Sequence, residues 1–259
     1  MQLFRAILNR MFPMLPSRVL DVAVQVLNRS LGRGGGGGTT TEEVHFIFGF
    51  LRPLQDHAYV VFDVGANVGE YTDTWISSDE SVQVVAFEPS VTAFAELQKR
   101  FFSEPRVNLQ NLACSSVAGR TTLFSDSPGS GLASLSKRRL DHFGTTFTYQ
   151  EEVQTVSLDD WCVENDTYPD VLKLDVEGHE LEILRGATEC LKHCQVVQFE
   201  FGGCNIDSRT FFQDFWYFFR DLGFNLFRMS PKGLIPITQY SEFDEVFSAT
   251  NYLAVRLTQ

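Results

Sequence analysis

Two groups of residues in this 259-residue sequence are of types, and at spacings, that can do chemistry. The first is VVFDVGANVGEY, Val60 to Tyr71, where Asp63 closes an apolar run and Gly65 and Gly69 bracket a turn before a helical pattern. Glycines in a strand-to-helix turn permit unusual backbone angles and let a ligand approach the main chain. The spacing Gly65-x-x-x-Gly69, with Asn67 in the middle, departs from the G-x-G-x-x-G of a dinucleotide turn. A carboxylate two residues before the first glycine repels a pyrophosphate and suits a ligand carrying ammonium and sulfonium charge. Glu88, in AFEP, ends the next apolar run, where a carboxylate can accept both hydroxyls of a ribose. Pro89 and Leu112 are placed to supply apolar walls for an adenine. The competing reading is a strand–helix turn with surface acids. A nicotinamide enzyme is disfavoured by the missing central glycine and by Asp63.

The second group is LKLDVEGHE, Leu172 to Glu180. Strand alternation puts Lys173, Asp175 and Glu177 on one face and Leu172, Leu174 and Val176 on the other. Acids at the end of a buried strand need a reason, and a Lys173–Asp175 pair is the structural one. Glu200 ends the neighbouring run, QFEF. Asp175, Glu177, His179 and Glu200 are therefore candidates for taking the proton of an acceptor hydroxyl, and His179 titrates in the useful range. His142 is a further candidate base. The three carboxylates with His179 also form a set that Mg²⁺ can occupy. The metal-free reading is preferred, and no metal ligands are assigned.

The elements that must hold these groups alternate. YVVFDV, VQVVAFE, RVNLQNLA, DVLKLDVE and QVVQFEF read as strands, and helical patterns separate most of them. Apolar runs separated by helices predict an α/β, mostly parallel sheet with helices on both faces. FNLFRMS and TNYLAVRLT read as two further strands joined only by a loop, an antiparallel end to the sheet. SRTFFQDFWYFFRDLG reads as a helix so aromatic that it is buried on several sides. The stretch from Ser125 to Gln150 reads as irregular, a lid or a disordered loop. It holds the basic triplet Lys137-Arg138-Arg139, which either faces an anionic acceptor or is simply solvated.

The net charge of −12 lacks the basic stripe of a nucleic-acid binder. Five cysteines, an odd number, give no disulfide framework and point to a reducing, cytoplasmic setting. Cys190 and Cys194 are better read as buried thiols than as a zinc pair. Residues 1–33 carry Arg5, Arg10, Arg18, Arg29 and Arg33 against Asp21 alone, so this segment is +4 and the remainder −16. Leu20, Val24, Leu27 and Leu31 recur there at helical spacing. A helix docked on the domain, a peripheral membrane contact and an organelle-import segment compete as readings. Gly34 to Gly38 open a Gly/Thr linker, 34–41, before a domain spanning 42–259, and a short covering helix starts near Thr39 to Thr41.

DVGANVGEY, FEPS, NLACSS, VSLDDW, LKLDVEGHELEILRGA and VVQFEF, in this order, resemble the FkbM-type S-adenosylmethionine-dependent methyltransferases. The resemblance runs from Tyr59 to about Gly223. It implies a class I methyltransferase, Rossmann-like sheet with an antiparallel C-terminal hairpin, and S-adenosyl-L-methionine as cofactor. It implies further that Gly65, Asn67 and Gly69 line the methionine part, that Glu88 holds the ribose, and that Asn111, Leu112, Ala113 and Cys114 lie near the adenine. The expected activity is O-methylation of a sugar or glycan hydroxyl. A non-sugar acceptor, or a non-catalytic cofactor-fold interaction protein, is the alternative.

Overall fold

The computed structural model describes residues 15–34, 38–51 and 58–256. Arg5, Arg10 and part of the polyglycine stretch lie outside the described residues. Nearly continuous apolar runs become the strands that are covered on both faces, β1 (Val60–Val64), β2 (Gln83–Phe87), β7 (Val171–Leu174) and β8 (Val196–Phe201), while β3 (Val107–Gln110) is a partly exposed edge strand. β8, β7, β1, β2 and β3 lie side by side and parallel. β9 (Asn225–Ser230), β10 (Gly233–Ile237) and β11 (Thr250–Val255) complete an eight-stranded sheet in the order β10-β9-β11-β8-β7-β1-β2-β3. β11 inserts between β8 and β9 and runs antiparallel to both.

β10 is the correction to the expected C-terminal pair. It forms a hairpin with β9 and carries the exposed Pro236. Pro lacks the ladder N–H and sits where a strand has a free edge, so a segment that reads as loop is an edge strand. The Ser125–Gln150 stretch is irregular between its ends, as expected, but it is framed by strands that read as loop in the sequence. β4 (Ala113–Cys114), β5 (Gly119–Ser125) and β6 (Tyr149–Val156) form a second sheet in the order β4-β6-β5. Its strands are polar and partly exposed on both faces, so alternation is weak in the sequence. Ser125 pairs with Tyr149, so the segment between them leaves and returns through one pair of strands.

Helices fill both faces of the large sheet. On one side α2 (Thr40–Phe48), α3 (Glu70–Ser78) and α4 (Val91–Arg100) bury Ile47, Trp75 and Leu97 against Val61 and Val84. α2 starts with a capping box, Thr39 N–H donating to Glu42 Oε2 at 2.7 Å and Glu42 N–H to Thr39 Oγ1 at 3.3 Å. The expected linker therefore ends before Thr39, since Thr40 and Thr41 are helical. On the other side lie α5 (Leu158–Asn165), α6 (Glu180–Arg185) and α8 (Phe212–Asp221), with α7 (Cys204–Ser208) short and near the strand ends. α8 buries Phe212, Phe215, Trp216 and Phe219, one helical face only, while Phe211 and Tyr217 are exposed. All five cysteines are free and buried.

α1 (Ser17–Ser30) departs from the docked-helix reading, since it buries none of its residues. Only its C-terminal end engages the body: Arg228 Nε donates to Leu31 O at 2.8 Å and Arg33 Nη2 to Phe243 O at 3.1 Å.

Phe199 of β8 stacks at 5.0 to 5.4 Å on Phe215, Phe219 and Tyr252. Truncating it leaves a cavity that no neighbour fills. Phe199→Ala is expected to cost about 3–5 kcal/mol of unfolding free energy, measured by urea denaturation.

Candidate active site

The ends of β1, β2, β7 and β8 meet at one edge of the sheet. Gly65 and Ala66 N–H both donate to Phe87 O at 3.0 Å, and Asp175 N–H donates to Val64 O at 3.1 Å. The β1–α3 turn is thereby stitched to both neighbours. Gly65 has φ +82°, and a Cβ there would lie 1.9 Å from the Asp175 carbonyl oxygen. A Cβ on Gly69, φ +85°, would meet Phe101 at 2.4 Å and Leu97 at 2.6 Å. Both glycines are thus required by protein packing, and Gly69 starts α3 without lining the cleft.

The cleft beside this turn is lined by Gly65, Asn67, Glu88, Pro89, Leu112 and Ala113 on one wall, and by Asp175, Glu177, His179 and Glu200 on the other. Residues 130–135 lie across it. Glu88 is buried, its Oε2 accepting from Asn67 N–H at 2.9 Å and its Oε1 from Ser90 N–H at 2.8 Å. Burial outweighs these two bonds and pushes its carboxyl up to about 7. Each carboxylate oxygen keeps a lone pair for a ligand hydroxyl. Asn111 points away and braces this corner, Nδ2 donating to Glu88 O at 2.9 Å and Pro89 O at 3.1 Å. It thereby holds the Glu88–Pro89 wall of the cleft in place.

Asp63 is also placed differently from the expectation. It is 0% exposed and does not line the cleft. Its Oδ2 accepts from Thr72 Oγ1 at 2.7 Å, and its Oδ1 lies 3.8 Å from Lys173 Nζ. The strand register sets Asp63 directly beside Lys173. Lys173 reaches onward to Asp175 Oδ2 at 3.1 Å and lies 4.8 Å from the centre of the Tyr71 ring. Burial pulls the Lys173 ammonium down, but Asp175 and Asp63 together leave it above its ordinary value. Tyr71 OH in turn donates to Gln198 Oε1, and Gln198 Nε2 to Glu43 Oε2 of α2. A second hollow opens over this network, lined by Glu43, Gly65, Asn67, Tyr71, Lys173 and Asp175. Gly65, Asn67 and Asp175 stand between the two hollows and line both.

At the β7 end the alternation predicted from sequence breaks. Glu177 sits at φ +56° and Gly178 at +102°. Glu180 Oε1 accepts from both Val176 N–H and Gly178 N–H at 3.1 Å, which holds this turn. Glu177 pairs with Arg138, whose Nε also lies 3.7 Å from Asp207. Ser134 Oγ donates to Glu177 O at 2.8 Å. The middle member of the basic triplet is therefore a bolt between the excursion and the cleft, while Lys137 and Arg139 are exposed. His179 Nε2 is 2.9 Å from Ser115 Oγ, a partner 64 residues away, and burial lowers its pKa. His142 is exposed and lies outside the cleft.

Glu200 has none of these ties. Its carboxylate lies within 4.8 Å of those of Glu177 and the Cys204 thiol. Burial, with Asp175, Glu177 and Glu180 nearby, raises it to about 8 against the pull of Lys173.

The open sheet and its acid-lined strand ends define a class of α/β protein that binds a nucleoside-containing ligand at one edge. The methyltransferase FkbM domain model matches residues 63–226, more than half the chain, and the chain belongs to this family. The fold is that of the class I methyltransferases, whose cofactor is S-adenosylmethionine. The hexuronic acid methyltransferase AglP of Haloferax volcanii is 32% identical over 140 residues, 53% of this chain and 54% of the relative. The 2-O-methyltransferase NoeI of Sinorhizobium fredii is 27% identical over 153 residues, 55% of this chain and 63% of the relative. The chain thus matches less than two thirds of each relative's length. Among solved structures, the precorrin-6y C5,15-methyltransferase of Geobacter metallireducens is 12% identical with a TM-score of 0.43, covering 84% of this chain and 86% of that one.

The two hollows offer such a cofactor an apolar wall at Pro89 and Leu112 beside the Glu88 carboxyl, and a charged hollow at Lys173 and Asp175.

Raised carboxyls carry a pH signature. A carboxyl that titrates near 8 when folded and near 4.5 when unfolded stabilises the fold fully below pH ~4.5. That contribution is lost as pH rises through about 8. Glu200→Gln removes the titration. The variant's melting temperature is expected to gain on wild type steadily between about pH 5 and 8. A constant difference across that range would show that Glu200 is not held protonated.

Proposed function

We propose that the protein transfers a methyl group from S-adenosylmethionine to a hydroxyl oxygen of a sugar, with Glu200 as the proton acceptor. The carrying observation is Glu200 itself. It is a cleft carboxylate without an ion-pair partner among the described residues, across from the Gly65–Asn67 turn, with its pKa raised to about 8. AglP's name supports a uronic acid as acceptor, and NoeI's name supports transfer to an oxygen.

Glu88 takes the ribose hydroxyls, Pro89, Leu112 and Ala113 flank the adenine, and Lys173 and Asp175 face the carboxylate and ammonium of the methionine part. The bound cofactor supplies an electrophilic methyl on a sulfonium. The chain's remaining tasks are alignment and proton removal. Asp175, fixed by Lys173, borders both hollows and orients the acceptor hydroxyl. Glu200 receives its proton. Glu177 is committed to Arg138, and His179 to Ser115, so both position the cleft rather than react in it.

Glu177, Glu200 and Cys204 form a possible cation cluster. A thiol is a poor ligand for Mg²⁺ and Arg138 already compensates Glu177, so the reading is metal-free. Transfer is expected to persist in EDTA.

The direct test is mass spectrometry of uronic acid and neutral glycans incubated with enzyme and deuteromethyl cofactor. Glu200→Gln is expected to lower kcat by about 10²–10⁴-fold while calorimetry shows cofactor affinity unchanged. In wild type kcat/KM is expected to rise with pH and level off above about 8. Full turnover in Glu200→Gln would remove it as the base. Separately, Glu88→Ala is expected to weaken cofactor binding by about 1–3 kcal/mol in calorimetry.

A further inference from the structure

Methyl transfer leaves α1 without a task. Val19, Val22, Val26 and Leu27 are 49% to 59% exposed, and the helix buries no residue. At about 100° per residue, Val19, Leu20, Ala23, Val26 and Leu27 share one side. Arg18, Asp21, Gln25, Asn28 and Arg29 fill the other. An apolar stripe of this kind normally faces a core. Here no residue of the stripe is buried.

Its end is nonetheless built into the body. A Cβ on Gly32, φ +74°, would lie 1.9 Å from the Met229 carbonyl oxygen, so the chain passes tight against β9. Arg33 lies 3.6 Å from Asp244, and Gly34 N–H donates to Thr250 Oγ1 at 3.3 Å. The helix is thus held at one end and presented by the domain.

Charge selects the occupant of the apolar side. Arg18 and Arg29 lie together at its border. The preceding residues add Arg5 and Arg10 and no acid, giving the +4 of residues 1–33 against −16 for the rest. An anionic surface attracts the first and repels the second, so the molecule would meet it α1 first. Two copies joined through this side would instead bring like-charged borders together. With 14 residues α1 is about 21 Å long, shorter than a bilayer's hydrocarbon core. Among the described residues no helix is long and apolar enough to cross a membrane.

We propose that α1 lies in the surface of an anionic lipid bilayer, its apolar side at the acyl boundary and Arg18 and Arg29 among the phosphates. The helix attaches the acidic methyltransferase domain to the membrane in a fixed orientation.

Flotation of the full chain tests this with vesicles of phosphatidylcholine alone and of equimolar phosphatidylcholine and phosphatidylglycerol. The protein is expected to float with the anionic vesicles and to be released by salt. Val26→Asp combined with Leu27→Asp should abolish flotation. Arg18→Glu combined with Arg29→Glu should weaken it about tenfold or more. Neither double variant should change the melting temperature, because α1 buries nothing. Failure to float with either vesicle overturns the proposal. Equal flotation with both overturns its charge-directed form. A dimer seen by sedimentation, dissociated by the apolar double variant and without vesicle binding, would instead assign the stripe to a second copy.

Discussion

A single buried ammonium, that of Lys173, holds the site together. It stands between a fully buried carboxylate at the end of β1 and a half-exposed one at the end of β7. Removing one member of such a set leaves an uncompensated charge in a medium that solvates it poorly. Around it the order is forced. Gly65 must be glycine because Asp175 O occupies the space of its Cβ, and Asp175 is where it is because its backbone pairs with Val64. From Lys173 the polar chain continues through Tyr71 and Gln198 to Glu43, so α2 joins the site although it is far from it in sequence.

The acids at the strand ends divide into those that hold and those that remain available. Asp63 and Glu180 are wholly buried and engaged by the protein, Asp63 by Thr72 and Lys173, and Glu180 through Oε1 by two backbone N–H groups. Glu177 is neutralised by Arg138. Glu88 is intermediate, anchored by two backbone donors yet open on its other side. Asp175 and Glu200 are left facing the cleft. Burial raises Glu200 first, and the carboxylates of Asp175, Glu177 and Glu180, held nearby by these commitments, add to it.

How much of this was legible depended on where each residue's partner lies. β1, β2, β7 and β8 are covered on both faces, so their apolar runs announced them, and the family motifs followed the same strands. β5, β6 and β10 are half solvated, and their polar residues and Pro236 read as loop. Asp63, Gly69 and Asn111 were recognisable as special, yet their neighbours are protein. Asp63's register with Lys173 spans 110 residues, and nothing local reports it. Arg138 stood out only as one of three basic residues, because its pairing with Glu177 exists only once the excursion is folded. The strand alternation applied to Glu177 failed for a backbone reason: the strand stops at Leu174, and Glu177 sits left-handed in the turn beyond it.

The excursion across the cleft has a consequence for how such a site can change. Its two ends are clamped together at Ser125 and Tyr149, at the tip of a small sheet that shares no strand with the large one. Lengthening a loop whose ends are already joined costs free energy only as the logarithm of its length. The central sheet, with its chain of mutually dependent contacts, tolerates little. Residues 126–148 can be rebuilt without disturbing it, provided that one cation still reaches Glu177. The fold thus sets a tightly interlocked floor beneath a roof whose length and sequence it constrains far less.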